Sequence, residues 1–258
     1  MKLNITNALK KILSITTYTF FGTVLGAIIL YIYLMQSRPD LYPWHTISLQ
    51  EEYTNKKSPK VKSFSEYLAQ EEKLFDELQE KIYSNWMDKR DHQLIRYDPT
   101  SMANPFLYEI NWNRSFELSQ EKPAGGVLLL HGLSDSPYSL RALANTLHQQ
   151  GNYVLGLRMP GHGTIPSGLV DSSWQDMAAA VKIAARHLSD KISSKPLHII
   201  GYSMGAAQAV NYSLDALQDE SLPVAESLVL ISPAIGVSAV AAFAVWQSRL
   251  SAIPGLEK

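Results

Sequence analysis

An α/β fold on a mostly parallel sheet, with helices on both faces and one transmembrane helix ahead of it, is what this sequence predicts. Three observations carry that expectation. Short apolar runs alternate with amphipathic stretches from residue 125 to residue 234. Residues 12–35 hold no charge. A Gly201-x-Ser203-x-Gly205 pattern sits where an apolar run gives way to an Ala-rich segment. With 258 residues and 46% hydrophobic content, the chain can bury one sizeable core and at most two modest domains.

The N-terminus comes first. As a helix, residues 12–35 would be roughly 36 Å long at 1.5 Å per residue, against about 30 Å of bilayer hydrocarbon. Lys2, Lys10 and Lys11 precede the run, while Arg38 beyond it is accompanied by Asp40, Glu51 and Glu52. This asymmetry predicts a cytoplasmic N-terminus and a body on the far side, periplasmic in a Gram-negative bacterium. Tyr31, Tyr33, Tyr42 and Trp44 are candidate aromatic anchors at the far interface. A cleaved signal peptide is the competing reading, although its apolar run is usually shorter and no Ala-x-Ala site is evident; a buried core helix is the other.

Three regions follow: an anchor over 1–36, a linker and helix over 37–92, and an α/β domain over 93–258. Residues 37–63 are rich in Pro, Ser, Lys and Glu and read as a linker over the domain surface. Then Phe64, Leu68, Leu74, Phe75, Leu78, Ile82 and Trp86 recur at three- and four-residue steps, one apolar stripe on a helix. Ser63 and Glu66 form a capping-box pattern at its start. The stripe suits packing on the domain or docking of a partner. Residues 106–118 have the alternation of one or two antiparallel strands.

From Gly125 the strands are GGVLLL, NYVLGL, PLHIIGY and ESLVLIS, and the intervening segments have helical spacing. In the first helix Leu140, Leu143 and Leu147 align and Gly151 is the stop. Strands that read as continuous apolar runs are buried on both faces, and alternation with helices implies right-handed βαβ units.

At Ser203 a sharp strand-to-helix turn would hold the hydroxyl out on a strained backbone, and only small residues such as Gly201, Gly205 and Ala206 fit around it. The helix start behind it supplies N–H groups for an oxyanion, Met204 among them. A second donor must come from the loop after an earlier strand. Leu133 is the candidate, because Gly132 before it lets the His131-Gly132 loop bend toward the serine.

With LLLHGLSDSPYSLRALANTL, LGLRMPGHGTIPSG, Trp174 and IIGYSMG together, residues 125–235 resemble the α/β-hydrolase superfamily, above all its carboxylesterase, monoacylglycerol lipase and lysophospholipase branch. The resemblance implies a carboxylic-ester or related acyl substrate, Ser203 as nucleophile, Leu133 and Met204 as backbone oxyanion donors, and neither metal nor organic cofactor. It also implies that His131 and His162 are structural loop residues.

Serine needs a base, and the base an orienting carboxylate. The superfamily order is Ser, acid, His, yet all seven histidines precede Ser203. Asp215 and Asp219 are not at strand ends, and residues 231–234 hold no carboxylate. The chain therefore reads as an incomplete domain, with residues 234–258 as the start of a cap whose apolar stretch 237–246 would suit an acyl pocket. An inactive relative used for binding, or a base from another chain or from an upstream histidine such as His162, are the alternatives. Acyltransferase, thioesterase or peptidase chemistry would use the same scaffold. The 23 basic and 24 acidic residues give no basic face for nucleic acid, and the absence of cysteine excludes disulfides and thiolate metal sites.

Overall fold

A computed structural model describes residues 5–37, 41–56, 58, 60–85 and 94–236. Trp86 and the expected cap segment beyond residue 236 lie outside the described residues.

Helix α1, Ile5–Gln36, belongs to the first of two compact units. Its stretch Asn7–Leu34 is long and apolar enough to cross a membrane, by length and composition. The hydroxyls of Thr16, Thr17 and Thr23 donate to the carbonyls of Ile12, Leu13 and Thr19 at 3.0, 2.8 and 2.8 Å. These hydroxyls on an apolar helix are thus satisfied within it.

The second unit is Leu41–Gly236. It opens with a one-turn helix α2, Pro43–Thr46, followed by α3, Phe64–Leu78, which continues as a π-turn to Tyr83. The capping box forms: Ser63 Oγ accepts from the Glu66 N–H, and Glu66 Oε2 accepts from the Ser63 N–H at 2.9 Å. Strand β1, Phe116–Leu118, precedes β2, Gly126–Leu130, and α4, Arg141–Gln149. Then come β3, Tyr153–Leu157, the short α5, Gly168–Asp171, and the long α6, Trp174–Ile192. Strand β4, Leu197–Tyr202, runs into α7, Met204–Ala216, and β5 is Ser227–Ile231.

The sheet order is β1-β3-β2-β4-β5, with β1 antiparallel to β3 and all other pairs parallel. The period-two pleat divides the apolar runs between two faces. Leu128, Leu130, Leu155, Leu157 and Ile199 pack with residues of α3, α6 and α7. Val127, Leu129, Val154 and Ile200 pack with Leu140 and Ala144 at the start of α4. Helices therefore cover both faces, and each fully buried Leu or Val contributes about 1.5–3 kcal/mol.

One expectation is met and two change. Within 106–118 one antiparallel strand forms, β1, three residues long, and Pro105–Leu107 is a 3-10 turn started by Asn104, whose side chain accepts from the Phe106 N–H. Residues 41–56 are a packed arm and not a linker over the domain surface: Trp44, Leu49 and Tyr53 are buried. Trp44 is accordingly no interface anchor. Its ring stacks on Tyr42 at 4.4 Å and on Tyr97 at 4.8 Å, within a cluster that includes Leu74, Phe75 and Leu78. Charge tacks the arm down: Glu77 accepts from the N–H groups of Gln50 and Glu51, and Asp176 from that of Asn55.

Candidate active site

Ser203 lies between the last residue of β4 and the first of α7, with φ 52° and ψ −112°. A non-glycine residue with positive φ away from the left-handed helical well costs about 1–3 kcal/mol and must be held by its surroundings. The clamp is visible. The Ser203 N–H donates to Ile231 O at 2.9 Å, and the Ser203 carbonyl accepts from the Ala234 N–H and the Ala206 N–H, each at 3.1 Å. The end of β5 and the turn beyond it thus pin the elbow from outside, while α7 pins it from within.

Small residues are enforced by contact. A Cβ on Gly201 would stand 2.5 Å from Ala206 Cα, and one on Gly205 would stand 2.1 Å from Leu130 O. Neither position has room for even a methyl group. Gly132 brings in the second loop, since a Cβ there would meet the Tyr202 ring at 2.9 Å and Ser203 Cβ at 3.5 Å. The His131-Gly132-Leu133 loop therefore lies directly against Ser203. Met204, as the first residue of α7, carries one of the N–H groups that a helix start leaves without an intrahelical acceptor. Ser203, Met204 and the loop bearing Leu133, each singled out from sequence, come together at the C-terminal ends of β2 and β4.

His131, His162 and His198 each make contacts other than to Ser203. His131 is fully buried, its Nδ1 against Gly132 O at 2.9 Å and its Nε2 accepting from the Met159 N–H at 3.1 Å. With that acceptor role the ring is neutral, and it ties the loop after β2 to the loop after β3. The His162 ring lies 5.1 Å from it at a tilt of 59° and sets Nδ1 against Pro160 O at 2.8 Å, leaving Nε2 buried without a partner. His198 contacts Ser227 Oγ through Nδ1 at 2.8 Å. Five residues before Ser203 on an extended strand, it lies roughly 16 Å away. Among the described residues no histidine is hydrogen-bonded to Ser203, and no group of three His, Asp or Glu side chains converges to hold a metal ion.

Burial holds the His131 pKa down at about 3, with the neighbouring His162 adding to the effect. An unfolded histidine takes its proton near 6.5. Stability from keeping this ring neutral is therefore complete above 6.5 and drains as pH falls from there toward about 3. The expected slope is about 1.4 kcal/mol per pH unit for one proton. Thermal unfolding followed from neutral pH to about pH 5 should show it, and His131→Gln should flatten that slope while lowering stability at neutral pH. An unchanged slope in the variant would show that His131 is not the titrating group.

Just after β3 is a charged cluster that sequence reasoning missed. Arg158, following β3, is almost wholly buried and reaches Glu71 of α3 through Nε at 2.7 Å and Glu52 of the arm through Nη2 at 3.0 Å. Its Nη1 also donates to His162 O at 3.0 Å, and the Tyr67 hydroxyl donates to Arg158 O at 2.6 Å. Burial opposes the Arg158 charge, but Glu52, Tyr67 and Glu71 outweigh it and hold the guanidinium above its usual range. Burial pushes the Glu71 carboxyl up, and Arg158 offsets part of that. A signal was present: Glu71 falls on the apolar stripe of α3, one turn from Tyr67 and from Phe75, where a carboxylate must have a partner.

Residues 121–255, more than half of the chain, match the family model described as serine aminopeptidase, S33. The chain belongs to this family. With it comes membership of the α/β-hydrolase superfamily, in its esterase and lipase branch. A thermostable monoacylglycerol lipase of Bacillus sp. (strain H-257) is 30% identical over 117 residues, 45% of this chain and 44% of that protein. The S33 chain thus spans under half the length of the curated relative that it matches. Among solved structures, one reported for LipS and LipT, two metagenome-derived lipolytic enzymes, is 27% identical with a TM-score of 0.42, covering 47% of this chain and 46% of the other. The monoacylglycerol lipase of Paleococcus ferrophilus is 21% identical with a TM-score of 0.42, covering 55% and 52%.

Proposed function

We propose that this S33-family chain carries the nucleophile of a membrane-tethered serine hydrolase acting on carboxylic esters of lipid-like or acyl substrates, with Ser203 as the attacking residue. The single observation that carries the reading is the Ser203 backbone, held at positive φ between strand and helix by glycines that admit no side chain. Such strain persists only where surrounding structure over-determines it, and it clusters at functional sites. Attack by Ser203 Oγ on an ester carbonyl puts negative charge on the carbonyl oxygen, and the N–H groups of Met204 and Leu133 are the donors for it. The hydroxyl proton must pass to a base. Family membership and the name of the Bacillus relative support an ester substrate. The uncharged run 12–35 within α1, with Lys2, Lys10 and Lys11 before it, supports a tether with its N-terminus in the cytoplasm.

A fluorophosphonate probe should label the intact protein at Ser203 and fail to label Ser203→Ala. Folded, intact protein that takes no probe would sink the catalytic reading. Because no histidine bonds to Ser203 among the described residues, the 258-residue chain by itself should turn over esters no faster than an oxyanion site without a base. Ordinary turnover, abolished by changing one upstream histidine, would overturn that. The same missing contact favours a second reading, a non-catalytic membrane-anchored binding module, which requires a stable fold and no probe labelling.

A further inference from the structure

A cleft of about 670 Å³, whose lining does not include Ser203, opens between residues 96–113 and the segment that leads into α4. Its size falls in the range of small-molecule sites, about 300–1,000 Å³. Four of its walls are Met102, Tyr108, Ile110 and Trp112. Met102 is 67% exposed, Tyr108 59% and Ile110 51%. Large apolar side chains left open in a group around a concavity mark a binding surface. Most of these residues belong to a segment that ends before the family-matched region begins at residue 121.

Two guanidinium groups flank this apolar surface. Arg141 is fixed by stacking 3.7 Å over the Tyr138 ring and by donating from Nη1 to Tyr138 O at 2.8 Å. Arg96 is fixed by donating from Nη2 to Gly163 O at 2.7 Å, and its Nε is buried with no hydrogen-bond partner. Glu109 is the one carboxylate in the lining. Among the described residues neither arginine pairs with a carboxylate. Two held cations beside an apolar wall complement a ligand with an anionic head and an apolar chain, and a planar guanidinium can grip a carboxylate through two parallel N–H···O bonds.

We propose that this cleft binds a long-chain carboxylate, a fatty-acid-like amphiphile, with its head on Arg96 and Arg141 and its chain along Met102, Ile110 and Trp112. The proposal does not rest on catalysis at Ser203, and its test is direct binding. The full-length protein in phosphatidylcholine nanodiscs would be irradiated with a diazirine-bearing fatty acid, and the crosslinked peptides mapped. Crosslinks are expected within residues 102–112 and around Tyr138, saturating with probe, competed by laurate and not by its neutral methyl ester. Losing charge-assisted hydrogen bonds in an Arg96→Gln/Arg141→Gln variant should weaken capture by about tenfold or more. Ile110→Asp, at an exposed position, should abolish capture with an unchanged melting temperature. Crosslinks confined to residues 5–36 or spread evenly, equal competition by the methyl ester, or undiminished capture by the double-arginine variant would each overturn it. So would finding the peptide surface protected by another protein segment in the absence of lipid probe.

Discussion

Arg158→Met is expected to lower the melting temperature of the full-length protein by roughly 10 °C or more, corresponding to a loss of about 3–5 kcal/mol. The cost is not the removal of one attraction. Glu52 and Glu71 are 7% and 4% exposed, and without the guanidinium each is a buried charge with no counter-ion. The arm, α3 and the loop after β3 would lose their common tie at once, since Arg158 also holds the His162 carbonyl. Two controls make the cause readable. Replacing all three charged residues by apolar ones of similar volume should recover most of the loss, because an apolar replacement of a complete buried ion cluster is often neutral. Lowering the pH of Arg158→Met should also narrow its deficit, because protonation neutralises the stranded carboxylates. Wild-type stability in the single variant, measured by thermal unfolding, would show that the cluster contributes little.

Gly205→Ala is the second large effect. The added methyl carbon would stand 2.1 Å from Leu130 O and 2.6 Å from His131 O, both backbone atoms of the neighbouring strand end. No side-chain rotation relieves such a contact, so α7 must move away from β2. The expected destabilisation is about 3 kcal/mol or more, at the upper end of overpacking costs. Probe labelling at Ser203 should fall with it, even in the fraction that remains folded. Gly22→Ala is the matched control: nothing lies within 4 Å of a Cβ at that position of α1, and the change favours the helix by about 1 kcal/mol. Equal behaviour of the two variants would mean that the elbow is not sterically closed.

The strands and helices of residues 125–231 were legible because their signals are local. GVLLL and YVLGL are short, apolar and β-branched in part, and the segments between them repeat at three and four residues. Ser63 and Glu66 announced the start of α3 for the same reason, a cap being an interaction between neighbours in the chain. The elbow was legible too, since Gly201, Ser203 and Gly205 meet within five residues. Residues 41–56 misled because their composition is that of a linker, whereas a few separated apolar side chains, Trp44, Leu49 and Tyr53, are enough to pack an arm when a surface is waiting for them. Composition averages over a segment; burial is decided residue by residue.

By itself, then, the order of amino acids determined an apolar N-terminal helix, an alternating α/β body, and a serine set between glycines at a strand-to-helix junction. Tertiary structure decided what that serine is pinned by, namely Ile231 and Ala234 from outside and the Gly132 loop alongside. It also decided that Arg158 is bound to Glu52 and Glu71 across 106 and 87 residues of chain. The physical reason is the same in both cases. A hydrogen bond or a buried charge pair needs its partners within about 3 Å, and spacing along the chain says nothing about which distant groups the folded backbone will bring that close.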